Sequence, residues 1–440
     1  MQGKRQGHYG SREKDSPANV LAWQENEARS EMSTGSQVKS NREESREQQM
    51  SAPYKKVFWA AGFGWMFDAM DVALLSFIMV ALRQEWGLSG EEAGLLGTGN
   101  LVGMALGAFI GGFLADRIGR KPIFLLTLLL FGAASLASAF ATGFFSMLLF
   151  RFLMGLGLGA ELPVASTLVN EFAPPEKRGR TVVLLESFWA VGWIAAAVIS
   201  YFIIPDYGWR IAVIIGALPI VYALFARKSI PESPKFQPRI ERVPLKKLWT
   251  AHQKETLTLW VVWFAITFSY YGMFLWMPSV LVDKGFTMIK SFQYVLIMTL
   301  AQLPGYFVAA YLVEKWGRKS TLATFLFMTG IMAYAFGQST GTTGLLVTGA
   351  LLSFFNLGAW GALYAYTPEN YPTPLRATGS GFASGVGRIG SIIAPYLVGY
   401  FSALHYSYTF IFGMFTVVLI AGTIVLLVIG KETKGAEAPA

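Results

Sequence analysis

Apolar runs long enough to cross a bilayer alternate with short polar turns from residue 57 to residue 430. A membrane-crossing helix needs about 20 such residues. The pattern predicts six spans in the first half, at 57–82, 93–114, 121–141, 144–171, 181–204 and 209–227. It predicts six more at 256–282, 290–313, 320–338, 343–367, 377–401 and 408–430. Between the sets, 229–255 is basic and carries Pro231, Pro234, Pro238 and Pro244, which disfavour a long helix. The expected fold is therefore all-α: twelve transmembrane helices in two bundles, 55–228 and 256–430, with polar tails at 1–54 and 431–440.

The two bundles read as copies of each other. The charged turn at 112–122 (Gly-Phe-Leu-Ala-Asp-Arg-Ile-Gly-Arg-Lys-Pro) returns at 313–319 as Val-Glu-Lys-Trp-Gly-Arg-Lys, an offset of 314 − 116 = 198 residues. Glu171, Pro174 and Arg178 meet Glu369, Pro372 and Arg376 at the same shift, and Gly107 and Phe109 meet Gly305 and Phe307. A shared shift at two separate turns indicates duplication. In duplicated helical membrane proteins the binding site lies between the repeats, near the bilayer midplane.

Composition narrows the function classes. Hydrophobic residues make up 53% and charged residues 14% of the chain, against about 25% charged in soluble domains. The net charge of +9 gathers in turns on one side, which argues against a nucleic-acid partner and places both termini in the cytoplasm. With no cysteine, disulfides, thiolate metal sites and thiol nucleophiles are excluded. Three histidines without ligand spacing give no zinc site, so neither a metal nor a cofactor is expected. Residues 1–54 are expected to be disordered, because they are polar and lack aliphatic clusters. No secretory h-region occurs there, and Met50 or Met32 is expected as the natural start.

Polar side chains inside spans are costly and mark function or pairing. Asp68 and Asp71 share a helical face in the first span, where they are expected to carry a proton or to pair with Arg151. Arg151 either takes that partner or snorkels to the headgroups. Glu161, ten residues deeper and beside a Gly155-x-Gly157-x-Gly159 run, is expected to be a substrate contact or proton site. Glu186, Trp189 and Trp193 fall on one stripe, as do Asn356, Trp360 and Tyr364. Tyr270, Tyr271 and Phe274 add aromatics from the seventh span, whose Trp276 and Pro278 suit either the site or an interfacial belt. Gln302 beside Pro304 is a further polar candidate. Arg388 sits in a small-residue helix and needs a carboxylate, supplied by an internal acid or by a bound anion.

The turn at 112–122 resembles the signature between helices two and three of the major facilitator superfamily. The stretch 151–161 together with Arg178-Gly179-Arg180 is similar to its sugar-porter and organic-ion branch. The stretches 64–71, 161–169, 185–193, 269–276 and 357–361 resemble the bacterial niacin permeases, with the likeness extending over 59–433. The resemblance implies proton-coupled uptake of nicotinate by alternating access, with no enzymatic role, in a monomer of the bacterial inner membrane. It places Asp68 at the coupling aspartate with Arg151 as partner, and an anion-binding arginine on the helix of Arg388. It assigns gating to Gly112, Asp116, Arg117, Gly119 and Arg120, with Glu171 and Arg178 pairing at the cytoplasmic turns. Another aromatic acid or a sugar, or a non-transporting receptor on the same fold, are the competing expectations. No nucleophile–base motif, phosphate loop or metal cluster is present to support an enzyme.

Overall fold

The structure is a computed structural model and describes residues 56–118, 120–172, 178–218, 221–222 and 246–434. The expected tail at 1–54, the proposed start sites and most of the central loop lie outside these. The helices are α1 (Lys56–Trp86), α2 (Gly90–Ile118), α3 (Arg120–Ser138), α4 (Phe144–Phe172), α5 (Arg178–Tyr207), α6 (Trp209–Gly216), α7 (Lys246–Ala251) and α8 (Gln253–Phe274). Then come α9 (Met277–Asp283), α10 (Met288–Leu300), α11 (Gln302–Trp316), α12 (Arg318–Gln338), α13 (Thr342–Glu369), α14 (Thr373–Ala403) and α15 (Tyr408–Ile429). No strand occurs among the described residues.

Two spans are each built from two helices, and proline explains both breaks. Pro278 cannot donate to the Phe274 carbonyl four residues back, and α8 ends at Phe274. Pro304 stands in the same relation to Leu300, where α10 ends. Trp276, at the first break, is fully buried and donates to the Pro395 carbonyl at 3.1 Å, so it is no interfacial belt residue. The described end of the central loop, past its last proline, forms the short helix α7.

Eight of the spans carry an apolar window sufficient to cross a bilayer; α14, rich in glycine and serine and holding Arg388, does not qualify. Burial separates inner from outer helices. The apolar window of α1 is 83% buried and that of α8 78%, against 39% for α15. The first and seventh spans therefore line the interior, and the twelfth faces lipid.

The repeat seen in the sequence governs the packing. α2 lies along α4, and its counterpart α11 lies along α13. A Cβ on Gly107 would overlap the Leu156 carbonyl, and one on Gly305 would overlap the Phe354 carbonyl. Both pairs are related by the 198-residue shift. Between bundles, α2 meets α14 and α5 meets α10, which are again the same contact under that shift. Small residues permit such close backbone approach in lipid. Replacing Gly155, whose Cβ would strike the Asn100 carbonyl, by valine is expected to separate α2 from α4 and cost about 1–3 kcal/mol. A lowered melting temperature in detergent checks this.

Inter-bundle polar contacts cluster at the end bearing residues 87–89. Arg83 pairs with Asp283 at 3.2 Å, Tyr396 donates to Glu91 at 2.9 Å, and Thr98 donates to the Ile392 carbonyl at 2.8 Å. At the opposite end, Arg318 holds Glu369 at 3.1 Å and Glu314 at 3.2 Å. Gly317, at φ 103°, makes the turn that a side chain would strain.

Residues 431–434 do not trail free. The Glu432 carboxylate accepts backbone N–H bonds from Arg318 at 2.8 Å and from Lys319 and Ser320 at 3.3 Å, capping α12. Burial opposes its charge, but the backbone donors prevail and hold its carboxyl below the usual range. A depressed carboxylate pKa contributes stability above the ordinary glutamate value, and that stability is lost as pH falls through the lowered value. Glu432→Gln is expected to lower the protection factors of the amides at 318–320 severalfold at neutral pH, and protonating Glu432 should lower them in the unaltered chain. Loss of a cap costs about 0.5–2 kcal/mol, and hydrogen-exchange mass spectrometry reads it out.

Candidate functional site

A narrow cavity lies between the bundles. From the first bundle it is lined by Trp65 on α1 and by Glu186 and Trp189 on α5. The second bundle contributes Trp263, Thr267, Tyr270 and Tyr271 from α8, Tyr306 from α11, Leu357, Trp360 and Tyr364 from α13, and Ser384 and Arg388 from α14. One acid and one cation thus share an otherwise aromatic chamber.

Helical spacing explains how each wall forms. Glu186 and Trp189, three apart on α5, present one face, as do Trp360 and Tyr364, four apart on α13. Trp360 and Tyr364 stack with ring centroids 5.8 Å apart, and Trp263 meets both edge-on at 5.6 and 5.2 Å. Trp65 lies 4.8 Å from Trp189, whose indole donates to the Tyr270 hydroxyl across the bundle interface. Trp263 is fixed by donation to Thr367 at 3.0 Å. The indole N–H of Trp360 has no acceptor among the described residues, which leaves one free donor at the cavity wall.

Arg388 is partly exposed to the cavity and adjoins the Tyr271 hydroxyl. Among the described residues no carboxylate pairs with it. Its planar fork has the geometry to engage a carboxylate. Glu186 is 4% exposed and equally without an ion-pair partner among the described residues, with Trp65 beside its carboxyl.

Seven expected substrate residues therefore meet at the cavity: Arg388, Glu186, Trp189, Tyr270, Tyr271, Trp360 and Tyr364. Four do not line it. Trp193 and Phe274 form a layer behind Tyr270, with Trp193 6.1 Å from Tyr270 and 5.8 Å from Phe274. Asn356 and Gln302 are fully buried with unpartnered amides away from the lining. The side chain of Glu161 lies outside the described residues, as do those of Gly112, Asp116, Arg120, Glu171 and Arg178, and Gly119 itself. Arg117 is exposed, its guanidinium 4.1 Å above the Phe113 ring.

The buried cation of α4 corrects one assignment. Arg151 is fully buried rather than snorkelling, and its Nη1 lies 3.4 Å from Asp71, not Asp68. Asp68 is buried on α1 near Tyr271. Three residues turn a helix by about 300°, so the two acids sit side by side and only packing selects between them.

Sequence reading passed over Trp65, Trp263, Thr267, Tyr306, Leu357 and Ser384. Two had a visible signal. Trp65 and Trp263 are equivalent under the 198-residue shift, and so are Glu186 and Ser384. Both pairs line the cavity, as a site on the repeat axis requires.

Comparison with known proteins places this architecture. The profile of the Major Facilitator Superfamily matches residues 61–305 and 294–440. The chain is 55% identical over 389 residues to a protein of Bacillus subtilis (strain 168) whose assigned name is niacin/nicotinamide transporter NiaP, covering 87% of this chain and 97% of the relative. It is 47% identical over 413 residues to the niacin transporter NiaP of Acinetobacter baylyi, covering 86% and 94% respectively. The inward-open xylose transporter XylE from E. coli superposes with a TM-score of 0.71 at 18% identity, over 87% of this chain and 97% of that one. This last likeness shows the fold, twelve helices in two bundles. The chain belongs to the Major Facilitator Superfamily, and it is a multi-pass membrane transporter of small molecules, not an enzyme.

Proposed function

We propose that the chain takes up nicotinate together with a proton, by alternating access across the bacterial inner membrane. The observation that carries the reading is Arg388, a cation without a carboxylate partner among the described residues, in a largely aromatic chamber. A flat heteroaromatic acid stacks on Trp and Tyr faces while its carboxylate engages the guanidinium fork. The name of the relative in Acinetobacter baylyi supports the same substrate, and that of the relative in Bacillus subtilis gives nicotinamide beside niacin. A sugar is less well served, because Asn356 and Gln302, the amides a sugar would need, stand off the lining.

Charge supplies the reason for the proton. Moving an anion into a negative-inside cell is uphill by about 2.3 kcal/mol per 100 mV, and one accompanying proton cancels it. The acids inside the spans, Asp68, Asp71 with its partner Arg151, Glu161 and Glu186, are the groups available. Basic residues Lys315, Arg318, Lys319, Lys431 and Lys434 gather at the repeat-turn end, which supports a cytoplasmic location for that end. The Arg83–Asp283 end then faces outward, where inter-bundle contacts hold it together.

In the proposed cycle the bundles rock about the cavity, and the outer contacts break as the inner turns close. Asp283→Asn removes a half-exposed pair worth about 0.2–1 kcal/mol. It is expected to raise outward opening by up to about fivefold. The chain has no cysteine, so Thr98→Cys at the α2–α14 contact gives a single site for a membrane-impermeant thiol reagent. Faster labelling in the Asp283→Asn background is the expected result. Binding of nicotinate, nicotinamide, benzoate and glucose to purified protein tests the substrate reading: nicotinate should bind, and glucose should not.

A further inference from the structure

The cavity sets Glu186 of the first bundle and Arg388 of the second in one chamber. The equivalent of Glu186 is Ser384, one turn before Arg388, so duplication left a carboxyl on one wall and a hydroxyl with a cation on the other. Glu186 is 96% buried, being 4% exposed, and its carboxyl faces the chamber without a pairing cation among the described residues. A buried charge in that position is costly, and a second negative charge entering on a carboxylate substrate makes it costlier. One proton on Glu186 removes both costs and converts an acceptor into an O–H donor. A pyridine ring carries the matching acceptor, and a benzene ring does not.

We infer that protonated Glu186 donates to the ring nitrogen of the bound pyridine carboxylate while Arg388 holds the carboxylate, so that Glu186 carries the co-transported proton and selects the ring. The inference rests on the nicotinate reading. Glu186 takes one proton from the outer side as the anion enters and returns it inside as the anion leaves. No covalent bond changes, and one proton and one anion cross together. The titratable and charged groups gathered round Glu186 are Asp68 on α1, Tyr270 and Tyr271 on α8, Tyr306 on α11, Tyr364 on α13 and Arg388 on α14. On α10, which packs against α5, the charged residue is Lys290, at the loop end of that helix. The tyrosines supply hydroxyls without taking up a proton at neutral pH, and Arg388 is committed to the anion. Asp68 is therefore the competitor for the proton.

The test measures nicotinate and benzoate binding to the purified full-length chain between pH 6 and 8. The unaltered protein should prefer nicotinate about tenfold or more, as expected where a site built around a hydrogen bond meets an analogue lacking it. Its nicotinate affinity should fall as pH rises, by at most about tenfold per unit for one proton taken up. Glu186→Leu should bring the two ligands within about threefold of each other, because both then lack a donor. Glu186→Gln, which keeps an N–H donor, should retain the preference and lose the pH dependence. A preference surviving in Glu186→Leu, or an unaltered pH profile in Glu186→Gln with its loss in Asp68→Asn, overturns the inference. If Glu186→Leu binds neither ligand, the pH profile of Glu186→Gln decides alone. Unaltered protein that binds no nicotinate overturns the substrate reading itself, whereas equal binding of nicotinate and benzoate overturns only the role of Glu186.

Discussion

Arg388→Ala is expected to reduce nicotinate affinity by about thirtyfold or more, beyond detection in most binding assays. Removing one member of a buried charge-assisted contact costs about 2–5 kcal/mol, and each 1.4 kcal/mol is tenfold. The loss should be in affinity rather than fold, because Arg388 forms no internal ion pair among the described residues whose breakage would strand another charge. Its helix is held instead by Thr267, which donates to the Gly387 carbonyl, and by close contact of Gly390 with α8. Arg388→Lys keeps the charge and loses the planar fork, so an intermediate loss is expected. Nicotinamide, which keeps the ring without the charge, should bind weakly to both forms and change little between them. Calorimetric titration of the three proteins with the two ligands checks the set.

The second large effect concerns stability. Arg151 and Asp71 are 0% and 2% exposed at their side chains and 3.4 Å apart. Asp71→Asn leaves the guanidinium buried without its counter-charge, and breaking such a pair costs about 3–5 kcal/mol. Two further nitrogens of Arg151, Nε and Nη2, already lack acceptors among the described residues, so those residues offer no replacement for the lost counter-charge. Arg151→Met alone strands Asp71 in the same way. Replacing both, Asp71→Leu with Arg151→Met, should recover most of the stability, because apolar substitution of a whole buried pair is close to neutral or stabilising. Melting temperatures of the two single variants and the double form a thermodynamic cycle. Additive losses in the double variant would mean that the pair contributes nothing as a pair.

The fold was legible in the sequence almost to its packing. Span length follows from bilayer thickness, and the 198-residue shift read from the sequence reappears in the packing, where Gly107 meets Leu156 and Gly305 meets Phe354. Pro278 and Pro304 carry the signal for the two broken spans, which the apolar pattern alone reads as continuous. The site was legible in part, for an identifiable reason. Intramembrane polarity singles out Glu186 and Arg388, and i, i+3 or i, i+4 spacing groups aromatics on a face. A helical face, however, is broad, and its edge residues reach neighbouring helices rather than the chamber. Asn356, one turn before Trp360, falls on that edge, as does Trp193, one turn after Trp189. The choice between Asp68 and Asp71 is of the same kind, set by the position of Arg151 on another helix. Trp65 and Trp263 each look like ordinary interior aromatics, and only their equivalence under the repeat distinguishes them.

The most direct measurement is uptake of labelled nicotinate into proteoliposomes under an inward proton gradient. The account predicts accumulation above the external concentration, collapse on adding a protonophore, and competition by unlabelled nicotinate but not by nicotinamide. Binding without accumulation, or accumulation indifferent to the gradient, would contradict it.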